Sequence, residues 1–177
     1  QKKAINGETN NKPSPFPSHI TNNSALSPST PPISYEIKEI TNSSQSQWDE
    51  YTQKHHASCA YHAFDFKQII ESSFGHHAYY FAAFDENQRI VGVLPIIHTK
   101  SKIFGSYMTS IPYFNYGGPL ADNSSVEFQL IQHADNLAKK LTASHVEIRE
   151  TTPRKGFPSK TDKMSMFLAL PKSSDEL

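Results

Sequence analysis

The segment RIVGVLPIIHTK, Arg89–Lys100, constrains the chain more than any other. It is apolar almost without a break, yet far short of the roughly 20 residues that a membrane-spanning helix needs. A short run of this kind, rich in β-branched residues, reads as a strand covered on both faces. HAYYFAAFD (His77–Asp85) precedes it as an aromatic-rich strand, with ENQ as the turn between them. The pair predicts an antiparallel hairpin at the centre of a layered domain.

The covering helices are legible on either side. SQSQWDEYTQKH (Ser44–His55) predicts a short helix packed through Trp48 and Tyr51. YHAFDFKQIIESSFG predicts a second, with Phe66, Ile69 and Ile70 on one face and Gly75 just past its end. SSVEFQLIQHADNLAKKLTAS predicts the longest helix, opened by a capping box of Ser124 and Glu127. Its buried stripe is Leu130, Ala134, Leu137, Ala138 and Leu141. Ile33–Ile40 alternates as a first strand, His145–Glu150 follows the long helix as another, and Lys163–Leu170 alternates as the last. Lys102–Phe114 reads as extended but irregular, broken by Gly105 and Pro112. The fold class is α/β (α+β): a mixed, mostly antiparallel sheet flanked by helices, in the element order of an acetyltransferase-like (GNAT-type) fold.

Residues 1–33 are rich in Pro, Asn, Ser and Thr, and predict a disordered leader or linker. The globular domain is expected over 34–171, with 172–177 starting a further linker. Lysine plus arginine equals aspartate plus glutamate, 17 each, which argues against a nucleic-acid footprint. Cys59 is the single cysteine, so no internal disulfide can form. No apolar run is long enough to span a membrane.

The stretch SIPYFNYGGPLAD (Ser110–Asp122) is the richest in chemistry. Gly117 and Gly118 would let a ligand approach the backbone. Asn115 offers a donor and an acceptor, and Tyr113 and Tyr116 offer flat faces with hydroxyl tips. The same residues also fit a glycine bend with tyrosines packed into a core, and sequence leaves both readings open. His62, next to Tyr61 at a helix start, is a candidate catalytic base or a packed, hydrogen-bonded residue. Cys59 lies three residues before it, at the spacing of a thiolate–imidazole pair or of a buried thiol beside a structural histidine. Glu147 and Arg149 share a strand face. Arg149 either clamps a carboxylate or phosphate or braces structure. Lys100 and Lys102 flank Ser101 at a strand end, as a phosphate contact or a solvated rim. Among His55, His56, His62, His76 and His77 no spacing completes a metal motif, so no metal is expected.

Several of these short runs, in this order, resemble the N-terminal half of FemAB-family proteins, and most of all the branch associated with bacterial exosortase (PEP-CTERM) systems. They are Tyr61–His62, Phe74–Gly75–His76, Val91–Gly92–Val93–Leu94–Pro95, Lys100–Ser101 and Phe104–Gly105, followed by Ser110, Pro112, Asn115–Tyr116–Gly117–Gly118 and Glu147–Arg149. The resemblance spans about Trp48 to Leu170. It implies the first of two tandem GNAT-like domains of a transferase that moves an amino acid or acyl group onto a cell-envelope peptide or glycan precursor. Aminoacyl-tRNA or another acyl donor would be the co-substrate, with no bound cofactor. A missing C-terminal domain would complete the cleft. The expected location is the bacterial cytoplasm or the inner membrane surface.

On this reading Ser110, Tyr113, Asn115, Tyr116, Gly117, Gly118 and Arg149 bind substrate, and His62 is the candidate for catalysis. A CoA-dependent acetyltransferase of this fold would carry a glycine-rich row of N–H groups directly before a helix. YGGPLADNSS places Pro119, which has no N–H, in that row. The competing readings are a non-catalytic binding module or inactive fragment, and a CoA-dependent N-acetyltransferase.

Overall fold

In the computed structural model, residues 34–154 and 156–161 are described. The expected leader 1–33, the expected last strand Lys163–Leu170 and the expected linker 172–177 lie outside them. Strand β1 is Glu36–Glu39, β2 His77–Phe84, β3 Ile90–Ser101, β4 Gly105–Thr109, β5 Leu120–Ala121 and β6 Val146–Glu147. Helix α1 is Gln45–Lys54, α2 Asp65–Phe74 and α3 Ser124–Lys140. The sheet runs β1-β2-β3-β4-β6, and β5 also pairs with β3. All ladders are antiparallel except β4 with β6.

β3 is buried from Gly92 to Thr99, as its apolar run requires. The helices divide between its two faces. α1 and α2 cover one core containing Trp48, Phe64, Ile70, Tyr80, Val93 and Ile97. α3 covers the other, where Val126, Leu130, Ala134 and Ala138 meet Phe81, Leu94, Ile96 and Met108. Tyr80 and Phe81, adjacent in β2, enter opposite cores because successive strand side chains alternate. The indole N–H of the fully buried Trp48 donates to the His62 carbonyl at 2.7 Å, so the apolar anchor of α1 also has its polar atom satisfied.

Several expectations need correction. The second helix begins at Asp65 rather than Tyr61, and a single 3-10 turn, Ala60–His62, precedes it. On α2 Ile70 is buried but Ile69 is exposed. The buried place goes instead to Lys67, whose ammonium reaches Glu71 at 3.3 Å, Glu39 at 3.7 Å and the Ala78 carbonyl. A buried cation is tolerated when it is paired and hydrogen-bonded in this way. Gly75 ends α2 in the left-handed conformation, φ 66°, with its N–H on the Glu71 carbonyl. No Ser124–Glu127 capping box forms. The cap is Asn123, whose Oδ1 accepts from the N–H groups of Ser125 and Val126 at 3.0 and 3.1 Å. The expected strand His145–Glu150 shortens to β6. Lys102–Phe114 resolves into a hairpin turn, β4 and a loop.

One backbone feature places that loop. β3 pairs with β4 through Ile97–Ser101 and with β5 only through Gly92 and Val93. Between these ladders stands Pro95, opposite Tyr80 of β2. The Tyr80 carbonyl accepts from Ile40, on the β1 side, at 2.7 Å. In an antiparallel ladder, facing residues both turn toward each other or both turn away. Pro95 therefore turns its nitrogen toward the β4–β5 edge, where it has no hydrogen to donate. The chain leaves the sheet at that level as the loop 110–119 and returns as β5.

Candidate functional site

The loop 110–119 is braced from one end to the other. The Ser110 N–H donates to the Glu147 carbonyl at 2.9 Å, and Ser110 Oγ accepts from the Arg149 N–H at 2.9 Å. The Gly117 N–H donates to the Arg149 carbonyl at 3.1 Å. The Arg149 guanidinium donates to the Phe114 carbonyl at 3.0 Å and to Glu147 Oε1 at 2.7 Å. The segment 147–149, which starts at the last residue of the parallel β4–β6 pair, thus holds both ends of the loop and its middle. Tyr61 stacks on Phe114, ring centres 4.4 Å apart, and meets Tyr116 edge-on at 5.7 Å.

The glycine pair is filled rather than open. A side-chain carbon added at Gly118 would lie 2.8 Å from Cγ and Oε1 of Glu150. One at Gly117 would lie 3.0 Å from Ile111 Cγ1. Arg154 holds Glu150 in that position and also pairs with Glu127 of α3. The glycines therefore permit close packing of the chain on itself, in keeping with the second of the two readings that the sequence leaves open.

His62 is buried, and both ring nitrogens are engaged. Nδ1 accepts from the Cys59 N–H at 3.2 Å, which leaves Nε2 to donate to the Gly118 carbonyl at 3.0 Å. The Cys59 sulfur lies 3.2 Å from the same Nδ1. The spacing-compatible pair is thus formed, as the cap of a 3-10 turn. Burial holds His62 below the ordinary histidine value, against the opposing pull of the Gly118 and Cys59 backbone. The neutral ring ties the turn before α2 to the end of the loop.

Tyr113 behaves differently. It is 54% exposed, with φ 76°, and Ile111 just before it has φ 43°. A β-branched residue in the left-handed region is strained, at a cost of about 1–3 kcal/mol. The bracing above is what holds it there. With this backbone the Tyr113 ring lies on Phe74 at the end of α2, with ring centres 4.2 Å apart and planes within 20°. Its hydroxyl lies 2.8 Å from Nε2 of His76. Burial, with a smaller contribution from Tyr107, raises the Tyr113 phenol above its ordinary value, so it is neutral at physiological pH. Phe74, Tyr113 and His76 present near-parallel rings, suited to the flat face of a ring or sugar.

The N-terminus of α3 completes the region. Asn123 occupies two of its free N–H groups, and the Asp122 carboxylate beside it accepts from the Tyr51 hydroxyl at 2.9 Å. Burial, and then Asp122, push the Tyr51 phenol far above its ordinary value. The first turn of α3 therefore meets its own amide and carboxylate where an anion would otherwise sit.

The residues singled out in sequence separate into two groups. Ser110, Gly117, Gly118, Arg149 and His62 converge in the buried bracing. Tyr113 and Asn115 are exposed, and Tyr116 is half-buried against Tyr61. Sequence reasoning did not assign Phe74 and His76 as partners of Tyr113, nor the Glu127–Arg154–Glu150 cluster. The run FGHH drew notice for its helix-ending glycine, its histidines and its part in the resemblance, not for a ring stack with Tyr113. Among the described residues no group of three His, Cys, Asp or Glu could hold a metal ion.

No protein-family model and no curated protein matches the chain. Solved structures do. A GNAT family acetyltransferase from Staphylococcus aureus is 13% identical, with TM-score 0.53, over 77% of this chain and all of that one. Aminoglycoside 6'-N-acetyltransferase AAC(6')-IG from Acinetobacter haemolyticus is 15% identical, with TM-score 0.52, over 76% and 97%. Glucosamine-6-phosphate N-acetyltransferase from Arabidopsis thaliana is 13% identical, with TM-score 0.54, over 77% and 99%. At these identities the likeness shows the fold: a GNAT fold, as the element order predicts.

Two outcomes follow from the packing. Gly118→Ala should destabilise the domain by about 1–3 kcal/mol in denaturant unfolding, since Glu150 cannot retreat without leaving Arg154. Adding Glu150→Ala should recover part of that loss, and a Gly118→Ala variant as stable as wild type would mean the close approach is wrong. For His62 the folded-state value is depressed, so the unfolded chain binds the extra proton. Its stabilising effect is full above the unfolded value of about 6.5 and is lost as pH falls below it. His62→Gln should flatten the fall in melting temperature on acidification, and His98 and His133, also depressed by burial, act in the same direction.

Proposed function

We propose that this domain holds the amine-bearing acceptor in an N-acyl transfer of the FemAB type, as in the exosortase-associated branch. The acceptor is a cell-envelope peptide or glycan precursor. The donor is aminoacyl-tRNA or another acyl ester that lacks the CoA pyrophosphate. The amine attacks the ester carbonyl, loses its proton as the amide forms, and the donor's alcohol leaves. Such a reaction depends mainly on holding the amine beside the ester and stabilising the oxyanion. Tyr113, Asn115 and Tyr116 meet the acceptor, while Ser110, Gly117, Gly118, Arg149 and His62 keep their loop in place. A second domain supplies the remainder of the cleft. The reaction takes place in the bacterial cytoplasm, where aminoacyl-tRNA is available.

The observation that carries this reading is the closed start of α3. Pro119 offers no N–H, Asn123 consumes two of the helix's donors, and Asp122 adds a negative charge. A pyrophosphate would have to displace all of this. The structural neighbours support an amine acceptor on a polar carrier, since two of them are named for acetylating an aminoglycoside and glucosamine-6-phosphate.

The same neighbours favour a second reading, a CoA-dependent N-acetyltransferase, because each is named as an acetyltransferase. Titration calorimetry separates the two. Acetyl-CoA should give no binding heat. A soluble nucleotide-linked peptidoglycan precursor should bind, and Tyr113→Ala should weaken it by roughly tenfold, the loss of one stacking contact. Heat from acetyl-CoA alone would overturn the proposal in favour of the second reading, and silence from both ligands would count against either.

A further inference from the structure

The turn joining β3 to β4 is the most exposed apolar feature of the described residues. Ile103 is 84% exposed and Phe104 is 77% exposed, and they are adjacent. Exposed apolar residues are ordinary when scattered, but two neighbours at the tip of a hairpin are not. The tip is also held in shape. Ser101 Oγ accepts the N–H groups of both Ile103 and Phe104 at 3.2 Å, so the pair is presented in one backbone conformation.

Charge is distributed unevenly around this tip. The chain as a whole is neutral. The segment HTKSKIFGS, His98–Ser106, contains Lys100 and Lys102 and no carboxylate. Behind the tip lies a depression of about 370 Å³ whose lining includes Gly75, His76, His77, His98, Lys100 and Leu141. Of its imidazoles, His98 bonds Ser106 Oγ at 2.8 Å, His76 bonds Tyr113, and His77 lies 3.9 Å from Glu71, the nearby carboxylate. Lys140 and Lys139, the latter paired with Asp135 at 2.6 Å, close the last turn of α3 just before Leu141. Phe74, 49% exposed, precedes the lining residue Gly75 and carries the Tyr113 stack. Exposed apolar side chains thus lie close in sequence to two of the residues that line the depression, Phe74 beside Gly75 and Ile103 and Phe104 just past Lys100.

We propose that this end of the domain docks on an anionic phospholipid bilayer, with Ile103 and Phe104 entering the interface and Lys100 and Lys102 meeting headgroup phosphates. An aromatic and an aliphatic side chain on a fixed turn lose little conformational freedom on insertion, and each lysine adds attraction to the negative leaflet. Attachment through two side chains on a turn is peripheral and reversible. The inference is independent of the acyl-transfer reading and would stand if that reading failed.

The test is sedimentation of the full chain with vesicles of pure phosphatidylcholine and of phosphatidylcholine with roughly one-third phosphatidylglycerol. The chain should bind the anionic vesicles at least roughly tenfold better, and added salt should release it. Ile103→Ser with Phe104→Ser, and separately Lys100→Gln with Lys102→Gln, should each reduce binding several-fold. All four positions leave the cores intact, which unchanged melting temperatures would verify. A Phe104→Trp variant supplies a second readout: its emission should shift to the blue with anionic vesicles, seen as a difference from the buried Trp48. Equal binding by the variants, no spectral shift, or loss of the apolar pair abolishing self-association of the chain instead would each overturn the proposal.

Discussion

Pro95 is the constraint on which the site depends. A strand buried on both faces should pair along both edges, and between Gly92 and His98 β3 does so except at Leu94–Ile96, the three residues centred on this one. With no N–H on the β4–β5 side, an unbroken ladder there would lack a bond. The chain instead ends β4 at Thr109, makes the excursion 110–119 and rejoins β3 at Leu120. A missing hydrogen in the middle of the sheet thereby becomes a loop at its edge.

The loop would be loose if nothing replaced the ladder it gives up. Its replacement is the segment 147–149, which bonds Ser110 at one end and Gly117 at the other while the Arg149 side chain takes the Phe114 carbonyl. His62 fixes the exit at Gly118, and Glu150 fills the space that the glycine leaves. Backbone strain at Ile111 and Tyr113 is sustained by this network. Rigid support beneath a few exposed groups is the arrangement expected of a recognition site. The same economy of side chains closes the start of α3, where Asn123 satisfies donors that an anionic ligand would need.

Much of the fold was legible in sequence because hydrophobic periodicity reports burial directly. The run Arg89–Lys100 predicted a strand covered on both faces, and β3 is one. Gly75 marked the end of α2, where a left-handed residue is needed. The errors share a cause. Ser124 and Glu127 have capping-box spacing, but Asn123 is the stronger local acceptor and Glu127 is drawn to Arg154, a partner distant in sequence. Ile69 has the periodicity of a core residue, yet Lys67 takes the buried place because Glu39, Glu71 and Ala78 converge on it. The pair Gly117–Gly118 signalled close approach correctly, but only the fold says that the approaching group is Glu150. Pro95 was the available clue to the loop's departure, and it sits in the very run that most clearly predicted a strand.

The loop 110–119 is built in advance by its bonds to 147–149, a claim that amide hydrogen exchange at single-residue resolution can decide. The amides of Ser110, Gly117 and Arg149 should exchange only through large-scale unfolding, at rates close to those of the interior of β3, while the exposed Tyr113 exchanges quickly. Exchange at Ser110, Gly117 and Arg149 as rapid as that of Tyr113 would contradict the claim, because the loop would then be ordered by its ligand rather than by the fold.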